Sequence, residues 1–202
     1  MTGHLFIISA PSGAGKTSLV SALLKLNLNI QLSVSYTTRA PRPGEIDGIN
    51  YQFVTRECFL QMAQNGAFIE SAEVYGNLYG TSHHWLTQKI HEGRDILLEI
   101  DWQGAAQVRK HFPDCSSIFI LPPSLQALEA RLNSRNQDSP EVIQRRMMAA
   151  REDISHVAEF DYVIINDNIE VALQQLNSVV VAASLVRQRQ LEVHADLIRQ
   201  LQ

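Results

Sequence analysis

Cysteine is scarce in this chain: Cys58 and Cys115 stand alone among 202 residues, far apart and without a CxxC pair. That excludes a disulfide framework and a zinc ribbon as organising devices, and the two thiols read as inert residues of a reducing compartment. A strong charge of one sign is also missing. Lys and Arg total 17 against 21 Asp and Glu, a net charge of -4, so the surface as a whole has no pull on nucleic acid or anionic membrane. Any polyanion site must be built from a local cluster of basic residues. Long apolar runs are absent too. No uninterrupted stretch approaches the roughly 20 residues that span a bilayer, and Leu5-Phe6-Ile7-Ile8 ends at once in Ser9-Ala10-Pro11, with no positive segment ahead of it. The expectation is a cytoplasmic protein with no membrane and no nucleic-acid partner. The seven histidines are scattered apart from His83-His84, a poor pattern for a metal site, and read as surface or packing residues. There are no internal repeats and no low-complexity tract.

What is present is ordinary for one globular domain with a sizeable core: 45% apolar and 19% charged residues. Leu5 to Ser9 reads as a strand, followed by a Pro/Gly-rich turn and a helix from Lys16 to Leu26 with Leu19, Leu23 and Leu24 on one face. The runs Ile96 to Ile100, Ile118 to Leu121 and Tyr162 to Ile165 read as further buried strands. Short apolar runs alternating with helical segments predict an α/β fold, a parallel sheet with helices on both faces. The core is expected at about 3–32, 95–122 and 160–202. Between Ser33 and Arg94, Pro41, Pro43, Gly44, Gly48, Gly66, Gly76 and Gly80 break the pattern, which predicts an insertion (about 33–94) with its own small sheet. A polar, arginine-rich stretch (about 123–159) has helical spacing, and the segment from Ile169 onward reads as one or two helices.

The strongest local signal is Ala10-Pro11-Ser12-Gly13-Ala14-Gly15-Lys16-Thr17. It has the spacing of a phosphate-binding loop, with Ala10 in place of the first glycine. Gly13 and Gly15 let the backbone curl so that successive N–H groups face phosphate oxygens. The helix starting there turns its positive end to the anion. Lys16 can reach the terminal phosphates, and the Thr17 hydroxyl can ligate Mg²⁺. The loop by itself predicts nucleoside-triphosphate binding, with Ser18 as the next residue of the site, and leaves the acceptor unnamed.

The acceptor is read from the insertion. In Ser35-Tyr36-Thr37-Thr38-Arg39-Ala40-Pro41-Arg42-Pro43-Gly44-Glu45, two arginines three apart sit in a proline-stiffened loop, which suits a pair of guanidinium forks on one phosphate. Tyr51, Phe68-Ile69-Glu70 and Gly76-Asn77-Leu78-Tyr79-Gly80-Thr81 follow, then Ile100-Asp101-Trp102-Gln103-Gly104. From about residue 3 to about residue 183 this order of motifs resembles guanylate kinase in its bacterial form. The resemblance implies a P-loop kinase fold with a GMP-binding insertion and a helical lid. It implies transfer of the γ-phosphate of ATP to GMP, and to dGMP, with Mg²⁺ held through Thr17. It also assigns Arg39, Arg42, Tyr51 and Tyr79 to the GMP phosphate, Glu70 with Ser35 and Thr81 to guanine, and Asp101 to the space beside GMP and the metal's water shell. The chemistry agrees: guanine's N1–H and N2 amine are two donors that one carboxylate accepts together, and its O6 needs a donor such as a hydroxyl.

In the lid, Arg131 and Arg135 lie four apart on one helix face. The resemblance implies that they reach the ATP phosphates with Arg146, and that Asn166 approaches adenine. Where the family usually has glycines around Arg135, this chain has Asn133-Ser134-Arg135-Asn136, a departure that bears on the lid's hinge. Glu99, on the strand run Leu98 to Asp101, has two readings: a residue of the site, or a carboxylate at the core's edge that only orders Arg39 and Arg42. Two rival functions remain on the residues alone. A peptide-gripping module of the same fold commonly loses the phosphate loop, which here is intact. A related kinase for another phosphorylated small molecule has no use for Glu70 with Ser35 and Thr81. Oligomeric state stays open.

Overall fold

The computed structural model describes residues 3–133 and 140–202. Its central sheet is five-stranded in the order β2 (Ile30–Leu32), β7 (Asp95–Glu99), β1 (Leu5–Ser9), β8 (Ser116–Leu121) and β9 (Tyr162–Ile165). Every pairing in it is parallel. Parallel strands need helical crossovers, and these cover both faces. On one side Phe6, Ile8, Leu97, Ile118 and Ile120 pack with Leu19 and Leu23 of α1 (Lys16–Leu26) and Ala172 and Leu176 of α7 (Ile169–Ser184). On the other side Leu5, Ile7, Ile96, Leu98 and Phe119 pack with Leu86 and Ile90 of α3 (His83–His91) and Ala105 and Val108 of α4 (Trp102–His111). Successive strand residues thus enter opposite cores, which is why Leu5 to Ile8 of β1 and Ile96 to Leu98 of β7 read as unbroken apolar runs.

The run from Tyr162 to Ile165 behaves differently from the expectation of a buried strand. As β9 it is the sheet's edge, where Ile164 is buried and Tyr162, Val163 and Ile165 are exposed. The segment from Ile169 onward forms three helices among the described residues, α7, α8 (Arg187–Val193) and α9 (Ala195–Leu201), rather than one or two. No single helix among the described residues is long and apolar enough to cross a membrane.

The insertion carries its own four-stranded sheet in the order β4 (Gln52–Phe53), β3 (Tyr36–Thr37), β6 (Asn77–Ser82) and β5 (Phe68–Val74). It also holds α2 (Arg56–Gln64) and α3, two short helices that periodicity did not announce. Their caps explain them: the side chains of Thr55 and Ser82 accept hydrogen bonds from Cys58 N–H and Trp85 N–H. In the polar stretch, α5 (Leu125–Asn133) and α6 (Pro140–Ser155) join through a small core of Leu128, Leu132 and Ala150.

Strand β1 lies between β7 and β8, so the chain leaves it to build the sheet first on one side and then on the other. That reversal opens a crevice beyond the carboxyl ends of the strands. The phosphate loop begins there, directly after Ser9.

Candidate active site

One cleft of about 520 Å³ runs across this crevice. At one end lie Ala10, Pro11, Ser12, Gly13, Gly15, Lys16, Thr17 and Ser18; at the other lie Ser35, Arg39, Arg42, Tyr51, Glu70 and Tyr79; Glu99 and Asp101 line its floor, and Arg146 comes from α6.

The donor end is made of backbone. Helix α1 starts at Gly15, which has φ 92° and offers no side-chain cap, whereas Asp101 and Asn168 cap α4 and α7 with their carboxylate and amide oxygens. The first-turn N–H groups of α1 are therefore left without a side-chain acceptor beside the cleft, an arrangement suited to an anion. Gly15 is required twice: its backbone is left-handed, and a Cβ there would collide with the Asn166 amide nitrogen. Lys16 Nζ donates to the Ile100 carbonyl at 3.3 Å. Thr17 Oγ1 donates to Glu99 Oε1 at 2.6 Å, so Glu99 engages the phosphate loop.

Arg131 and Asn166 stand behind the loop and do not line the cleft. Asn166 is buried, and its Nδ2 donates to the Ala14 carbonyl at 2.7 Å. Arg131 donates to the Asn166 carbonyl at 2.8 Å and to the Ala14 carbonyl at 3.4 Å. Both bond to the curled backbone of the loop or its neighbour. Ala14 is itself fully buried. Arg146 Nη2 donates to Ser12 Oγ at 2.6 Å and hangs over the loop. Arg135 lies outside the described residues, as does most of the segment from Asn133 to Asn136.

The acceptor end is made of side chains. Arg39 donates to Glu45 Oε1 and to the Ala40 carbonyl, both at 2.8 Å, and its guanidinium lies 5.4 Å from the Tyr51 ring centre. Glu45 also accepts from the Arg42 backbone N–H at 2.7 Å. Its bond to Arg39 holds the Glu45 carboxyl below the usual range and keeps the loop's two arginines together. Sequence reading passed over Glu45 as a functional residue, although it closes the same motif. Tyr51 and Tyr79 meet edge to face, with centroids 6.0 Å apart, and burial pushes the Tyr51 hydroxyl up to about 12, so it remains a donor.

Glu70 is 3% exposed. A break in register between Phe68 and Glu70 sets it opposite Thr81, whose hydroxyl donates to Glu70 Oε1 at 2.6 Å. Thr81 is buried behind the carboxylate, while Ser35 lines the cleft directly. Burial raises the Glu70 carboxyl to about 7 against the pull of Thr81. The second oxygen of Glu70 packs against Gly104, where a Cβ would come within 2.7 Å of Oε2 and 3.4 Å of Asp101 Oδ1. Gly104 N–H donates to Asp101 Oδ1 at 2.8 Å. A glycine inside the first turn of a helix is the signal that could have found this residue.

Asp153 was also missed. It projects from α6 into the cleft, and burial, with Asp101 near it, raises its carboxyl to about 6. The ring of His156 at the end of the lid stacks on Trp102 at 3.4 Å between centroids. Among the described residues no group of three or more His, Cys, Asp or Glu is placed to hold a metal. Both cysteines are free, and burial pushes the Cys115 thiol up to about 11.

Comparison with known proteins agrees with this geometry. A family model described as guanylate kinase matches residues 2–183. The guanylate kinase of Hahella chejuensis is 61% identical over 177 residues, covering 88% of this chain and 85% of that protein. The guanylate kinase of Thiobacillus denitrificans is 58% identical over 195 residues, covering 96% and 93%. The crystal structure of guanylate kinase from Anaplasma phagocytophilum has a TM-score of 0.77 and 37% identity, covering 93% of this chain and 89% of that one. With a family model spanning the phosphate loop, the insertion and the lid, and relatives aligned nearly end to end, this chain belongs to the guanylate kinase family.

Proposed function

We propose that the protein transfers the γ-phosphate of ATP to GMP, giving ADP and GDP, and accepts dGMP through the same base and phosphate. The observation that carries this reading is Glu70. It is a buried carboxylate fixed by Thr81 in the same cleft as a phosphate loop and two arginines. Guanine presents two adjacent donors to such a group, whereas adenine presents an acceptor at N1 and leaves Glu70 badly paired. A site built on hydrogen bonds of this kind discriminates by on the order of 10⁴.

In this reading Arg39, Arg42, Tyr51 and Tyr79 hold the GMP phosphate, with Ser35 toward the guanine O6. The attacking oxygen belongs to a phosphate already largely ionised near neutral pH, so no strong general base is required. Rate comes from alignment and from charge neutralisation as the phosphoryl group moves in line. Lys16 and Arg146 supply positive charge on the donor side, with Arg135 assigned the same task. Arg131 and Asn166 act on the donor through the loop they brace. The hydroxyl of Thr17 and the carboxylates of Glu99 and Asp101 are hard oxygen donors, and such a set suits Mg²⁺. When bound, that ion neutralises charge on the phosphate oxygens. Free thiols and the modest negative charge support a cytoplasmic setting without nucleic-acid partners.

A coupled assay for ADP release tests the reading, with Mg-ATP and each of GMP, dGMP, AMP, CMP and UMP offered in turn. Turnover is expected with GMP and dGMP. Absence of GMP-dependent turnover, or equal turnover with AMP, overturns it.

A further inference from the structure

The hairpin joining β5 to β6 turns through two residues, Tyr75 with φ 51° and Gly76 with φ 79°. Both positions of so tight a hairpin need left-handed backbone, a demand met with least strain by asparagine or glycine. Tyr75 is the one non-glycine residue with positive φ among the described residues. A strained aromatic persists where its surroundings hold it, and such strain collects at functional sites. The surroundings here are specific. Tyr75 is half-exposed and lines the cleft beside Ser12 of the phosphate loop and Arg146 and Asp153 of α6. Tyr75 shares the cleft's lining with Ser12 and Arg146, which are themselves joined at 2.6 Å. Three parts of the molecule therefore come together around this side chain: the hairpin whose strands carry Glu70 and Tyr79, the phosphate loop, and α6.

We propose that Tyr75 is a positioning residue for phosphoryl transfer, whose hydroxyl ties the acceptor hairpin to Ser12 and Arg146 so that both nucleotides are ordered together. Burial and the Asp153 carboxylate push the phenol's pKa up, which keeps the hydroxyl proton available for donation. The same oxygen accepts from the Arg146 guanidinium. With GMP seated under the hairpin, Tyr75 restrains Arg146 over the donor phosphates; with the donor bound, it restrains the hairpin. Each substrate then lowers the ordering cost of the other, and positive coupling follows without direct contact between Tyr75 and the reacting atoms. The role rests on the phosphotransfer reading above.

The experiment uses the full chain and measures GMP affinity by calorimetry, with and without a saturating non-hydrolysable ATP analogue and Mg²⁺. The ratio of the two affinities is the coupling factor. Tyr75→Phe keeps the ring and removes the hydroxyl. It is expected to leave GMP binding alone unchanged, to reduce the coupling factor by about fivefold, and to lower kcat with KM for GMP rising only at saturating ATP. Tyr75→Asn relieves the turn, so its Tm is expected to match or exceed that of the parent while the coupling factor falls as in the Phe variant. A purely structural tyrosine predicts the reverse, a lower Tm for Asn with coupling intact in Phe, and that result overturns the proposal. Coupling and kcat unchanged in both variants overturn it equally. Parent protein without GMP-dependent turnover refutes the phosphotransfer reading instead, so the two failures are distinct.

Discussion

The two ends of the cleft are built on opposite plans. At the donor end one contiguous stretch, Ala10 to Thr17, supplies backbone N–H groups and an uncapped helix start. Side chains serve mainly to brace it, as Asn166 and Arg131 do from behind. At the acceptor end the recognition groups are side chains from separate segments: Ser35, Arg39, Arg42, Tyr51, Glu70 and Tyr79. The backbone plan reads only phosphate, which every nucleoside triphosphate carries. The side-chain plan reads a base, and its cost is visible in Glu70, whose buried carboxyl is pushed up to about 7. On the proposed reading, a group held so far from water discriminates because guanine's two donors satisfy it better than other bases do. Generality at one end and selectivity at the other follow from which part of the chain faces the ligand.

If the two ends are separable, the largest effect is expected at Lys16, the phosphate-loop cation that the proposed reading sets on the donor phosphates. Lys16→Ala is expected to lower kcat by on the order of 10³ or more while GMP affinity measured by calorimetry stays as in the parent. Loss of GMP binding in that variant breaks the separation. On the acceptor side, Glu70→Gln is expected to lower kcat/KM for GMP by on the order of 10², because the amide presents a donor to a donor. It also changes the pH profile. Guanine needs the ionised carboxylate, and the empty site holds its proton to about pH 7. GMP affinity in the parent therefore weakens as pH falls below 7. The GMP phosphate titrates in both proteins, so the difference between the parent and Glu70→Gln isolates the side chain. The sign for stability is the opposite of an ordinary ion-paired carboxylate. The folded state keeps a proton that the unfolded chain releases near 4.5, so this group's contribution to stability declines as pH rises from about 4.5 to 7. Equal pH profiles for the two proteins refute the assignment.

The same contrast decided what could be read from sequence. The donor end was legible because its residues are neighbours in the chain, and β1 and β7 because strands covered on both faces carry unbroken apolar residues between their ends. The run from Tyr162 to Ile165 has the same composition, but periodicity cannot tell a central strand from an edge, and only Ile164 ended up buried. Glu70 was named through the family resemblance, while Arg39 and Arg42 announced themselves as charges in a stiff segment. Glu45 did so less, since its partner is identified only once the loop closes on itself. Asn166 bonds to a residue 152 positions away, and Gly104 matters because α4 packs beside β5; neither contact has a local signature strong enough to name its partner. Thr81 and Ser35 show the finer detail. Both were expected beside Glu70 as hydroxyl partners, and folding bonds Thr81 to the carboxylate while Ser35 faces the cleft.

Gly104 gives the smallest and most pointed test of the comparison, because it lies where the acceptor end meets the core's own helix. Alanine in a helix is favoured over glycine by roughly 1 kcal/mol, so Gly104→Ala ought to leave α4 at least as stable if the position were only structural. The added methyl, however, would stand 2.7 Å from Glu70 Oε2 and 3.2 Å from its Cδ. The carboxylate must shift by several tenths of an ångström, and the Thr81 bond at 2.6 Å limits where it can go. The expected outcome is a KM for GMP raised about tenfold, the order of one disturbed hydrogen bond, with KM for ATP unchanged and Tm within a few degrees of the parent. An unchanged KM for GMP would mean that Glu70 has slack in its pocket, and that its selectivity does not depend on being held between Thr81 and the first turn of α4. A rise in the KM for ATP would mean that the two ends are mechanically joined through Asp101, whose Oδ1 lies 3.4 Å from the same methyl.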